Sequence, residues 1–175
     1  VCPESLFGSI AGASDRLLAL KGDAATKELF VWGLRVGFLS AAVGGCEAES
    51  PLYAALEKKM AGCIRGLISN CSMLGQQVCL RSLTSVAFAE ERAEKAALLK
   101  SRALEVKRVL ADPKFAEAFE PYPFNSGYFM CLRMKTVSAE AVRVQLLDTY
   151  AVGAIAASDT DLRIAFSCVE KDQIA

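Results

Sequence analysis

The stretch Ala24-Ala25-Thr26-Lys27-Glu28-Leu29-Phe30-Val31-Trp32-Gly33-Leu34-Arg35-Val36-Gly37 decides how the chain is read. Gly33, Arg35 and Gly37 stand six, eight and ten positions after Lys27, and Thr26 immediately precedes it. Apolar segments lie on both sides. Residues 16–21 read as a strand, Gly22-Asp23 as a turn, and residues 34–43 as a second, mostly buried strand closed by Gly44-Gly45. Taken singly, Lys27 is an ordinary loop lysine and Arg35 a strand residue paired with some carboxylate. Two apolar strands flanking a polar loop nevertheless make a site-like arrangement.

Working outward, residues 4–13 after Pro3 have a helical mix of apolar and small residues. Ser50-Pro51 opens a helix ending near Asn70, with Ser as cap and Pro in the first turn. A further helix is expected over residues 76–86, and a long charged one over 90–110, stopped by Asp112-Pro113. Its apolar stripe reads as Ala97, Leu98, Ala103, Leu104, Val109 and Leu110, with Lys95, Lys100, Arg102, Lys107 and Arg108 on a solvated face. Beyond it, residues 124–134 alternate like a strand, 138–150 form a capped amphipathic helix, and 152–157 and 162–169 are short strands. The chain is therefore α/β, with a domain boundary near residue 90: one part over 1–90, and a small α+β domain over 91–175.

Composition narrows the chemistry. The 175 residues are 53% hydrophobic and 23% charged, enough apolar material for one ordinary core or two small ones. Twenty basic residues balance twenty acidic ones, so net charge offers no attraction to nucleic acid or anionic membranes. Apolar stretches such as residues 34–45 fall short of the roughly 20 residues that span a bilayer, and the chain reads as soluble. No signal peptide is visible, and the start at Val1 suggests a fragment. Seven cysteines without a CxxC pair fit buried, reduced thiols in the cytoplasm better than a zinc site. With no histidine, Ser-His and Cys-His nucleophiles are excluded, leaving Lys, Arg, Tyr, Asp, Glu or a cofactor.

The lysine segment resembles the cofactor-attachment signature of class I/II aminotransferases, matched at Thr26, Lys27, Gly33, Arg35 and Gly37. The resemblance runs from about Pro3 to Ala175 and implies the C-terminal part of a pyridoxal phosphate (PLP) transferase of fold type I: the rest of a large domain, then the small domain. It implies PLP as cofactor, with Lys27 forming the Schiff base and later acting as base, Arg35 binding the phosphate, and Thr26 beside them. Partial burial beside a cation such as Arg35 would favour the neutral amine that this requires. Gly33 and Gly37 would permit close backbone approach. Ala24 stands where the family usually has Ser or Gly, so a hydroxyl contact to the phosphate is missing, and Phe30 replaces a residue that is normally small or aliphatic.

The run Asp161-Leu162-Arg163-Ile164-Ala165-Phe166-Ser167 resembles the family's late strand, whose arginine binds the substrate α-carboxylate, the role implied for Arg163. Asn125-Ser126-Gly127-Tyr128-Phe129 resembles a strand at the active-site entrance, where Tyr128 would line the substrate pocket. The implied substrates are an amino acid and a 2-oxo acid, and the complete protein is expected to be a homodimer in the cytoplasm, without nucleic-acid or membrane partners. The family's upstream phosphate loop, ring-stacking aromatic, Asn, and Asp partner of the pyridine nitrogen have no counterpart in this sequence, so the chain alone is expected to be inactive. The same parts serve PLP lyases and synthases, and a regulatory or ligand-binding domain with this fold is a further alternative.

Overall fold

The computed structural model describes residues 5–125 and 127–174. Pro3 and Ser126, both used in the sequence reading, lie outside them. The chain forms two compact units, one reaching Phe88 and one spanning Ala89–Ala175.

In the first unit, Ser5 caps helix α1 (Leu6–Ala11) by accepting the Phe7 N–H. Strands β1 (Leu18–Ala24) and β2 (Gly37–Val43) pair antiparallel, from Leu18 opposite Val43 to Ala24 opposite Gly37. The expected Gly22-Asp23 turn does not form. Both residues lie within β1, opposite Leu39 and Phe38, and Lys21 pairs with Asp23 at 2.9 Å along the strand. A ladder running the full length of both strands outweighs the local turn preference of one Gly-Asp pair. Strand β2 starts at Gly37 rather than residue 34, because Arg35 takes a left-handed φ of 52°, which cannot continue a strand. Nor is it mostly buried, since Gly37, Phe38 and Leu39 are exposed.

Between the strands lies α2 (Ala25–Glu28), a single turn. Helix α3 (Pro51–Ile68) starts as the sequence predicts, with Ser50 accepting the Leu52 N–H. The Tyr53 hydroxyl accepts the Val43 N–H at 2.9 Å, tying α3 to the end of β2. Helix α4 (Met73–Leu83) begins three residues before the expected start, because Ser72 caps it through the Gly75 N–H. Its buried Gly75 and Cys79 pack on the lysine loop, where Cys79, Ala25 and Val36 form a small core flanked by Leu29, Val31 and Leu34. A Cβ at Gly75 would lie 2.9 Å from both the Leu34 carbonyl oxygen and Val36 Cγ2, so only glycine lets α4 approach this closely.

The second unit is built on α5 (Phe88–Leu110), with Glu90 and Glu91 in its first turn and Lys107 and Arg108 in its last, complementing the helix dipole. Asp112 then caps a 3-10 turn, Pro113–Phe115. Strands β3 (Phe119–Pro121), β4 (Met130–Met134), β5 (Ile155–Ala156) and β6 (Asp161–Ile164) make an antiparallel sheet in the order β3-β4-β6-β5. Helix α6 (Ala139–Tyr150) is capped by Ser138. Sequence pattern gives no strand at β3, starts β4 six residues early, and makes β6 too long, because Phe166–Cys168 is a 3-10 turn whose apolar residues mimic a strand.

Alternation divides the sheet's two faces. Met130, Leu132, Met134 and Leu162 turn inward to a core with Val106, Ala139 and Phe166. Arg133, Asp161 and Arg163 lie on the other face. The expected stripe of α5 needs correction: Leu98 and Leu104 are exposed, whereas Val106 and Arg102 are buried. Charge alone puts Arg102 on the solvated face, but it shares the i, i+4 row with Val106 and finds partners in the Ser167 carbonyl and the Glu170 carboxylate. On the outer face, Arg133 Nε donates to the Tyr122 hydroxyl at 3.0 Å, which donates to Asp161 Oδ1 at 3.0 Å, and the Ser158 hydroxyl donates to Oδ2 at 2.7 Å.

Two outcomes follow from this packing. Gly75→Ala should lower unfolding stability by about 1–3 kcal/mol through overpacking, as measured by denaturant titration. The Ser158 and Tyr122 hydrogen bonds, with the nearby Arg133 charge, hold the Asp161 carboxyl below its usual range. Its stabilisation is therefore present above the unfolded value of about 3.9 and lost as pH falls through the folded value. Asp161→Asn should be less stable than wild type at pH 7 and should lose less on acidification to pH 3; an unchanged acid dependence would contradict the network.

Candidate active site

The loop between β1 and β2 is closed at its base. The Ala25 N–H donates to the Val36 carbonyl at 3.0 Å, immediately beyond the Ala24–Gly37 pair. Thr26, Lys27 and Arg35 are thus confined to one short excursion at one end of a hairpin. Ala25 and Val36 are 1% and 5% exposed, so the base is anchored in the small core against α4. Phe30 and Arg35 both have left-handed backbones, with φ of 57° and 52°. Such conformations cost a non-glycine residue about 1–3 kcal/mol and concentrate at functional sites.

Lys27 is exposed at the end of α2, Thr26 is half-buried, and Arg35 is exposed, with Nη1 donating to the Trp32 carbonyl at 3.4 Å. The expected partial burial of Lys27 is not supplied here, because α2 is a single turn whose buried residue is Ala25. Close approach is needed at Gly37, where a Cβ would lie 3.0 Å from the Asp23 carbonyl oxygen. At Gly33 a Cβ would meet no atom of this chain within 4 Å.

The other two expected site residues belong to the second unit. Arg163 lies half-buried on β6, opposite Cys131 and Ile155, and its guanidinium carbon sits 4.9 Å from the centroid of the Phe129 ring. A flat cation over an aromatic face is held by the ring quadrupole while its edge stays open for donors. Among the described residues no carboxylate pairs with Arg163. Asp161, two positions back on the same strand face, is instead taken up by Tyr122 and Ser158. Tyr128 is half-buried in the segment before β4, and burial raises the pKa of its phenol. Its carbonyl accepts the Ser167 N–H at 3.4 Å.

Three residues that shape these surroundings escape the sequence reading. Gly75 stands just before the helix expected over residues 76–86, so its place inside α4 follows only from the earlier start that Ser72 caps. Phe129 lies within the quoted motif but next to the residue singled out. Arg102 has only its i, i+4 spacing from Val106.

The model of the family "Aminotransferase class I and II" matches residues 18–175. No curated protein matches the chain. Among solved structures, an aminotransferase from Anaerococcus prevotii aligns with a TM-score of 0.71 at 19% identity, over 92% of this chain and 37% of its own. LysN, an α-aminoadipate aminotransferase from Thermus thermophilus crystallised with N-(5'-phosphopyridoxyl)-L-leucine, aligns with a TM-score of 0.67 at 21% identity, over 89% and 39%. Tyrosine aminotransferase from Leishmania infantum aligns with a TM-score of 0.62 at 16% identity, over 88% and 38%. The chain therefore spans under two-fifths of the length of these structures, and at such identities the likeness shows the shared α/β fold. The family match covers most of the sequence, and this chain belongs to the class I and II aminotransferases.

Proposed function

We propose that the chain supplies two working parts of an enzyme moving an amino group between an amino acid and a 2-oxo acid: the lysine that attaches PLP and the arginine that holds the substrate carboxylate. The observation that carries this reading is the loop closed by the Ala25–Val36 hydrogen bond, which keeps Thr26, Lys27 and Arg35 on one anchored excursion. The donor set suits the cofactor. A primary amine matches its aldehyde, and a guanidinium with a neighbouring hydroxyl matches its phosphate. The chemistry that PLP would supply when bound is an electron-withdrawing ring for the substrate's α-carbon.

The chain's own residues do the rest. Lys27 would hold the cofactor through its amine and, when free, would take the proton from the substrate's α-carbon and pass it on. Arg35 and Thr26 hold the phosphate end, which fixes where the lysine acts. Arg163, steadied over Phe129, grips the α-carboxylate at two points and so orients the amino acid, while Tyr128 lines the pocket beside it. A homodimer in the cytoplasm accords with the family resemblance.

The test uses the longest natural polypeptide that carries this sequence, supplied with PLP, an amino-acid donor and a 2-oxo acid acceptor. Amino transfer should be seen only when the acceptor is present, and Lys27→Ala should slow it by roughly 10²–10⁴-fold or more. Equal keto acid release with and without acceptor would favour a lyase instead. An undiminished rate in Lys27→Ala would overturn the assignment of the lysine.

A further inference from the structure

Arg102 is the one charged residue among the described residues that is buried, at 7% exposure, and nothing in the reaction outlined above uses it. Its Nη1 donates to the Ser167 carbonyl at 2.5 Å, and Nη2 to Glu170 Oε1 at 2.8 Å, linking α5 to a segment more than sixty residues away. Nε is buried without a hydrogen-bond partner among the described residues. Burying a guanidinium is costly, and an apolar side chain of similar volume is often neutral or better for stability. What only a guanidinium offers is a fixed fork of diverging donors.

One arm of that fork reaches Ser167, a residue whose main chain makes two attachments. Ser167 follows Arg163 by four residues, inside the 3-10 turn that ends β6. Its carbonyl receives Arg102, and its N–H binds the Tyr128 carbonyl, next to the Phe129 ring that lies under the Arg163 guanidinium. Phe166, 1% exposed, packs its ring 5.7 Å from Phe124 and holds the same turn from the core side. The Ser167 main chain therefore fastens the end of β6 to the aromatic segment through its N–H, and Arg102 holds the same residue through its carbonyl.

We propose that Arg102 is a positioning residue for the carboxylate grip: it never touches substrate, but it sets the relative placement of Arg163 and Phe129. The inference rests on the reading of Arg163 given above. It predicts that losing the fork harms substrates with an α-carboxylate much more than those without one.

The experiment compares wild type, Arg102→Met and Arg102→Lys in the longest natural polypeptide carrying this sequence, loaded with PLP. Each is assayed for kcat/KM with an amino acid and with the primary amine of the same side chain that lacks the carboxylate. Arg102→Met should lose about 10- to 100-fold on the amino acid and within about threefold on the amine, with Arg102→Lys partly restoring the former. Equal losses on both substrates, or none on either, would overturn the inference by leaving Arg102 a purely structural or silent role. Should Arg102→Met fail to fold, Arg102→Lys decides alone: it keeps the charge but loses the fork, and an unchanged ratio of the two substrates overturns the proposal. Failure of the parent reading shows elsewhere, as a wild type that does not favour the amino acid over the amine, and it would take this inference with it.

Discussion

A single main-chain hydrogen bond, from the Ala25 N–H to the Val36 carbonyl, sets the geometry on which the candidate chemistry depends. It extends the β1–β2 ladder by one step past the last strand pair and closes the loop at its neck. Without it, Lys27 and Arg35 would be two polar residues on a long flexible connection. With it, and with both neck residues buried against Cys79 and Gly75, the loop can keep two left-handed residues that a free chain would relax. The small core beneath the loop matters more for placement than for total stability. Its tightest contact, Gly75 against the Leu34 and Val36 positions, leaves no room for even a methyl group.

The second unit handles charge in a complementary way. Its outer sheet face carries Arg133, Asp161 and Arg163 in adjacent positions, an arrangement in which the aspartate is a natural partner for either arginine. Tyr122 and Ser158 take both carboxylate oxygens, and Arg133 binds the same tyrosine. Among the described residues Arg163 is left to an aromatic ring, a partner that orients a guanidinium without satisfying its donors. On the proposed reading of Arg163 as the grip on the substrate carboxylate, that incomplete satisfaction leaves donors for it.

Much of this is legible in the sequence, and the exceptions share a cause. The lysine loop can be read because its spacing is local. Ser50 and Ser138 can be read as caps because capping is decided within one turn of helix. The Gly22-Asp23 pair misleads because the pairing that overrides its turn preference comes from strand residues 37–39, beyond the range of local preference. Arg102 misleads because its burial depends on Ser167 and Glu170, more than sixty residues along the chain. Burial of Lys27 is expected from the chemistry proposed for it, and chemistry does not show which part of a fold supplies the covering surface. At the outer sheet face, alternation gives the side of each residue but not which carboxylate pairs with which base.

The central claim is that this loop is built to hold PLP at Lys27. Its most direct measurement is to mix the chain with PLP, reduce with borohydride and map the phosphopyridoxyl group by peptide mass spectrometry. The account predicts one dominant modified peptide, carrying the label on Lys27 and losing it in Lys27→Ala. Labelling spread evenly over the chain's lysines, repeated in the longest natural polypeptide that contains it, would contradict the account.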